Sequence, residues 1–215
     1  MKGKRRPTES IPILNPEEIK EVIDRASCPR DQCLVALLYL TGRRINEILP
    51  LRSSDFIIEK DEVSFTTFNE KSFRMDKQGV FNVEREVEFK YKNYKGVVYY
   101  EKIRPMFLKS SKSGKVLSRY VLDYLDSLQD NQYLFPPFKL GRDRPYISST
   151  RAYQILRKLD ERLWLHALRH IDFTRLAEVY KDDPVSMHRL TFHRQFESTL
   201  NYIQVRKTKD RLKKL

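Results

Sequence analysis

The chain has 215 residues, room for one sizeable domain or two small ones, and 40% of them are hydrophobic, which excludes a chain disordered throughout. Lys and Arg number 42 against 29 Asp and Glu, a formal net charge of +13, which points to a polyanionic partner, nucleic acid before an anionic membrane. The sequence has no apolar run long enough to span a bilayer and no secretory h-region behind its basic N-terminus, so a cytoplasmic protein is expected. Cys28 and Cys33 make no disulfide framework, and no second Cys or His pair stands near them for zinc. No structural zinc site is therefore expected.

In chain order, residues 1–10 read as a basic flexible arm. "NPEEIKEVIDRA" starts a helix, with Asn15 as cap, Pro16 at the first position and Glu17 and Glu18 at the positive end. "DQCLVALLYLTG" is almost continuously apolar and reads as a buried helix stopped by Gly42. "RRINEILPL" restarts a short one. The pattern then turns strand-like in "FIIE", "EVSFTTF", "EREVEFKYK" and "VVYYEKIRPMF". In the third of these Val87, Phe89 and Tyr91 alternate with Glu88, Lys90 and Lys92. "NYKG" suits a hairpin turn, and residues 70–82 read as a polar loop.

Helical periods return in "VLSRYVLDYLDSL", "RAYQILRKL" and "ERLWLHALRHIDFTRLAEVY", with the proline-rich loop "LFPPFKLGRDRPYISST" after the first. "DDPVSMHRLTFH" begins another helix at Asp183 and Pro184, and "FESTLNYIQV" is a last short one. Residues 206–215 form a basic tail. Helices, a small antiparallel sheet of about three strands, then helices again make an α+β domain over residues 11–205.

Three clusters could carry chemistry. Arg44 with Glu47 three residues on would present a fixed guanidinium fork to a phosphate, although the same spacing also makes an ordinary ion pair. His166, Arg169 and His170 share one helical face by spacing, which suits an anion site as well as a polar helix end. His166 could bond phosphate oxygens or move a proton. His193 and Tyr202 lie nine residues apart across a helix boundary.

The order of these stretches resembles the catalytic domain of the tyrosine recombinase (phage integrase) family. "TGRRINEI" is similar to the family's T-G-x-R-x-x-E-[IL], with Arg44 at the catalytic position and Glu47 supporting it. "HALRH" matches H-x-L-R-H, giving His166 and Arg169 catalytic places and His170 a supporting one. His193 and Tyr202 match the last histidine and the nucleophilic tyrosine at the family spacing. "KIRP" resembles the second strand of the family's β-hairpin. Paired with "EVEFKYK", it makes Lys92 the hairpin lysine, with Lys90 and Lys95 as alternatives. Two positions depart from the pattern: Phe192 stands where Gly is usual, and Ile171 where Thr is common. About ten residues precede the matching region, so no N-terminal core-binding domain is apparent.

The resemblance implies site-specific cleavage and rejoining of double-stranded DNA, for integration or excision of a mobile element. Tyr202 would form a 3′-phosphotyrosyl bond while Arg44, Arg169 and His193 hold the phosphate, His166 takes a proton and Lys92 gives one. It implies no cofactor, a homotetramer on DNA and a monomer when free. A type IB topoisomerase, or a non-catalytic DNA-binding protein on the same fold, are the alternatives.

Overall fold

The computed structural model of the protein describes residues 14–70, 74–75, 86–91, 94–99, 101–138, 145–192 and 195–203. The arm, the tail, Lys92 and His193 lie outside the described residues.

Helix α1 (Pro16–Asp24) begins with a reciprocal capping box. The Glu18 amide donates to Asn15 Oδ1 at 2.9 Å and the Asn15 amide donates to Glu18 Oε2 at 2.8 Å. Helix α2 (Pro29–Thr41) is buried on all sides from Cys33 onward and packs against α1, against α4 (Lys112–Asp126) and against α6 (Ala167–Val179). An apolar helix without a polar face belongs in the centre, and each fully buried leucine such as Leu34, Leu37 or Leu38 contributes about 1.5–3 kcal/mol over exposure. Gly42 ends α2 in the left-handed conformation, φ +56°. A Cβ there would stand 2.3 Å from Asp172 Oδ2, so both dihedral and space require glycine. The short helix α3 (Ile45–Ile48) follows at once.

The sheet region is a bent antiparallel hairpin. One arm runs through β2 (Glu62–Phe65) and β3 (Thr67–Phe68); the other returns through β7 (Lys102–Ile103) and β8 (Met106–Leu108). β2 lies between β1 (Phe56–Ile58) and β8, and β3 pairs with β7. Pro105, which has no amide hydrogen to offer a ladder, separates β7 from β8. Between the arms stands a second three-stranded sheet in the order β4 (Arg74–Met75), β6 (Tyr94–Tyr99), β5 (Glu86–Tyr91).

Three expectations are corrected here. "KIRP" does not pair with "EVEFKYK": its β7 residues pair with Thr67 and Phe68, while β5 pairs with β6. "NYKG" is not the turn, because Tyr94, Lys95 and Gly96 are strand residues and the register closes at Tyr91 opposite Tyr94. Part of the expected loop over 70–82 is strand β4. Alternation marks a strand but carries no label for its partner, so the pairing is decided by the wider packing.

Beyond the sheet, Ser111 caps α4 and Ser148 caps α5 (Ser149–Leu159). α6 begins six residues after the "ERLWLH" start that the periodicity suggests. Asp160 accepts from the Arg162 amide and binds its guanidinium at 2.7 Å, which holds a turn there in place of a first helical turn. Helix α7 (Pro184–Thr191) is capped by Asp183, whose carboxylate accepts from the Ser186 amide at 3.0 Å. Residues 196–203 form the last helix, α8. The result is the expected α+β arrangement, mainly helical with a small antiparallel sheet component.

Two apolar clusters hold it together. The main one joins α1–α6 and the sheet. The other consists of Phe173, Ala177, Met187 and Ile203, with Leu176, Tyr180 and Tyr202 packed against it, and it is what binds α7 and α8 to the outer half of α6.

Candidate active site

The first motif folds around Glu47, which is fully buried. Its Oε1 accepts from Arg44 Nη1 at 2.8 Å and from the Glu70 amide at 3.1 Å, and its Oε2 accepts from the Arg44 amide at 3.1 Å. Thr67 Oγ1 donates to the Glu47 carbonyl at 2.6 Å and so ties α3 to strand β3. Arg44 is 9% exposed, and Asn69 Oδ1 also accepts from its Nη1 at 3.4 Å. The guanidinium is thereby fixed with one edge left to solvent. The expected pairing of Arg44 with Glu47 is present, as a buried contact and not a surface one.

Arg43 has a different environment. Its Nε donates to the Thr41 carbonyl at 3.2 Å and its Nη2 to the Thr191 carbonyl at 2.8 Å. Its guanidinium carbon lies 4.8 Å from the centre of the Phe192 ring. Phe192 ends α7 with φ +52°, a left-handed conformation that normally favours glycine. Asn69 Nδ2 donates to the Phe192 carbonyl at 3.2 Å. The strained turn is therefore held on both sides, by Arg43 from the first motif and by Asn69 from the hairpin arm. Sequence reasoning missed Arg43 and Asn69; the doublet of arginines after a buried helix was the available signal.

The second motif splits between surface and interior. His166 occupies the N-cap position of α6 and is exposed, whereas Arg169, three residues on, is 7% exposed. Arg169 Nη1 donates to the Gly42 carbonyl at 2.6 Å, and its guanidinium carbon lies 4.2 Å from the Phe173 ring centre. Burial and the charges of Arg43 and Arg44 push it down to about 9, which leaves it cationic at neutral pH. Arg169 Nη2 and Arg43 Nη1 are buried without a hydrogen-bond partner. Such N–H groups cost free energy while unmatched.

Asp172 balances part of this charge from the far side. It pairs with Arg175 at 2.7 Å, and burial pushes its carboxyl up against the opposing pull of Arg175, Arg43 and Arg169. Four guanidinium groups thus face two carboxylates, Glu47 and Asp172, and the buried site keeps an excess of positive charge.

Tyr202 comes to this cluster on α8. Its phenol oxygen is 2.7 Å from His170 Nδ1, and its ring meets Phe173 edge-on at 5.4 Å. Burial pushes the phenol up to about 12, while Arg169 and Arg44 pull it down. α8 is tied to α7 through His188 Nδ1, 3.0 Å from the buried Thr199 Oγ1. Of the expected site residues, Arg44, Glu47, Arg169, His170 and Tyr202 are brought into one cluster, and His166 stands at its solvent edge. Lys90 and Lys95 are backbone register partners across β5 and β6. Among the described residues there is no group of three or more His, Cys, Asp or Glu able to hold a metal ion, and no helix is long and apolar enough to cross a membrane.

The model of the phage integrase family matches residues 12–209. Transposase A from transposon Tn554 of Staphylococcus aureus is 23% identical over 201 residues, which cover 90% of this chain and 48% of that protein. The XerH site-specific recombinase, solved bound to difH substrate, superposes with a TM-score of 0.58 at 16% identity, over 89% of this chain and 50% of that one. The integrase of transposon Tn1549, solved with a circular intermediate DNA, gives 0.57 at 15% identity, over 94% and 63%. At such identities these structures speak for the fold alone. The chain spans about half the length of the curated relatives it matches.

Proposed function

From the premise that this chain belongs to the phage integrase family, we propose that it is a site-specific DNA recombinase of a mobile element. It cuts and rejoins duplex DNA through a 3′-phosphotyrosyl intermediate. The observation that carries this reading is one half-buried phenol, Tyr202, under the pull of two buried guanidinium groups, Arg169 and Arg44. The names of the Tn554 transposase and the Tn1549 integrase, both transposon proteins, support the mobile-element setting.

In this reading residues 11–205 form the catalytic domain. A phosphodiester bound between Arg44 and Arg169 receives preorganised charge where the transition state gathers it, on the non-bridging oxygens. His166 and His193 add hydrogen bonds to the same phosphate. Tyr202 attacks phosphorus, and the 5′-oxygen leaves with a proton from a lysine of the inserted hairpin, Lys92 in our reading, with Lys90 and Lys95 as the alternatives. Attack by another strand's 5′-hydroxyl reverses the step without an energy source, because one phosphodiester replaces another. Phosphate contacts by the remaining Lys and Arg residues make binding sensitive to salt. Four copies assemble on two DNA sites to exchange strands.

Covalent trapping tests the reading. The protein is incubated with supercoiled plasmid and with a pool of nicked suicide duplexes of randomised sequence, in EDTA. A denaturation-resistant adduct from the natural chain and none from Tyr202→Phe is the expected result. DNA binding without any adduct would instead favour a non-catalytic protein on this fold.

A further inference from the structure

The proton of Tyr202 has a built-in destination. Phenols ionise near pH 10, so attack at neutral pH requires a base within hydrogen-bond reach of Oη. His166, the expected base, is exposed at the N-cap of α6, whereas His170, one turn further along, has its Nδ1 2.7 Å from Tyr202 Oη. Resting on the recombinase reading, we propose that His170 is the general base of the cleavage step, and that its hydrogen bond to Tyr202 holds the nucleophile docked before DNA arrives.

The surroundings suit that role. His170 is half-buried, and the groups facing it are His166 and Arg169 on its own helix and Tyr202 from α8, with Arg44 acting on Tyr202 from the start of α3. Burial, with His166 and Arg169, holds the imidazole below its ordinary range, so the ring is neutral at pH 7 and can accept. With its ring proton on Nε2, Nδ1 takes the hydrogen bond from the phenol. The Tyr202 ring is held against His170 at a centroid distance of 5.9 Å and edge-on against Phe173.

The step balances. The Oη–H bond breaks and its proton passes to His170 Nδ1, giving imidazolium. Oη bonds to phosphorus, the P–O5′ bond breaks, and the 5′-oxygen takes the ammonium proton of the hairpin lysine. On rejoining, a 5′-hydroxyl returns its proton to the lysine amine and the imidazolium reprotonates Tyr202. The neighbouring Arg169 destabilises the imidazolium, which favours this return.

The test measures adduct formation against pH from 5 to 8 for the natural chain, His170→Gln and His170→Asn. Two pools of nicked duplexes of randomised sequence are used, one ordinary and one with 5′-bridging phosphorothiolates. Sulfur leaves without protonation, so a base defect persists on the second pool while a general-acid defect disappears. The amides of Gln and Asn can keep Tyr202 docked but cannot take its proton. Both variants are expected to lose about 10²–10⁴-fold on both pools, together with the acidic limb of the profile, which lies below pH 6.5. Docking of α8, read by the protection of its amides from exchange, should be retained in at least one of them, and its loss in both would overturn the base role. An adduct whose rate and acidic limb survive both substitutions, or a defect cured by phosphorothiolate, would overturn the assignment to His170 alone. No adduct from the natural chain on either pool would overturn the recombinase reading and this inference together.

Discussion

The two halves of the site are built differently. Arg44 is held by Glu47, which receives three hydrogen bonds inside the main core, on elements anchored by α2 and the hairpin. Tyr202 is held by a hydrogen bond to His170 and by packing on a satellite cluster of four buried residues. The charge-stabilising half is thus set in the main core, while the half that must move toward phosphorus rests on the smaller cluster. Local opening follows the local density of buried contacts, so the nucleophile can shift without loosening the arginines.

The sharpest way to break this contrast is Glu47→Ala. It strands Arg44, and the ion pair of Glu47 with Arg43 at 3.9 Å, in the interior without their carboxylate. We expect a loss of about 3–5 kcal/mol in urea unfolding, since removing one partner of a buried pair leaves an uncompensated charge. A loss below about 1 kcal/mol would mean that the first motif is no more locked than a surface pair.

A paired core substitution comes next. Leu37→Ala in the main cluster should cost about 2–5 kcal/mol of global stability. Met187→Ala in the satellite should lie at or below the low end of that range, and should speed amide exchange in α7 and α8 while α2 stays protected. Equal costs with uniform exchange would show that the two clusters unfold as one.

Phe192→Gly probes the seam between the halves. Relief of the left-handed residue is worth about 1–2 kcal/mol, and the lost stacking on Arg43 about 0.5–2 kcal/mol. The two oppose each other, so unfolding should shift by no more than about 1 kcal/mol. A large loss would show that Arg43 depends on that ring for its place.

The smallest effect is in pH. The His170 pKa is lowered in the folded chain, so between that value and 6.5 the unfolded state binds more protons. Stability must then rise with pH in this window and fall as pH drops through it. Urea unfolding from pH 5 to 7 should show the slope, and His170→Gln should flatten it.

Local chemistry was readable along the chain. Asn15, Pro16, Gly42 and Asp183 start and stop helices where short-range hydrogen bonds and backbone dihedrals require. The arginine and glutamate of the first motif were readable for the same reason, being neighbours on one turn. The pairing of "KIRP" was not, nor the late start of α6. In the first case alternating residues fit several partners. In the second, the Asp160–Arg162 turn outcompetes a helical period.

What the sequence determined by itself was the inventory: a basic α+β chain, its capped helices, and the motif residues whose order marks the family. Only the tertiary structure decided which of them meet. Arg43 reaches Thr191 across 148 positions, Arg169 reaches Gly42 across 127, and Tyr202 reaches His170 across 32. Contacts at such separations are set by how helices pack on a shared core, which buries one side chain of a motif and exposes the next. No local pattern carries that information.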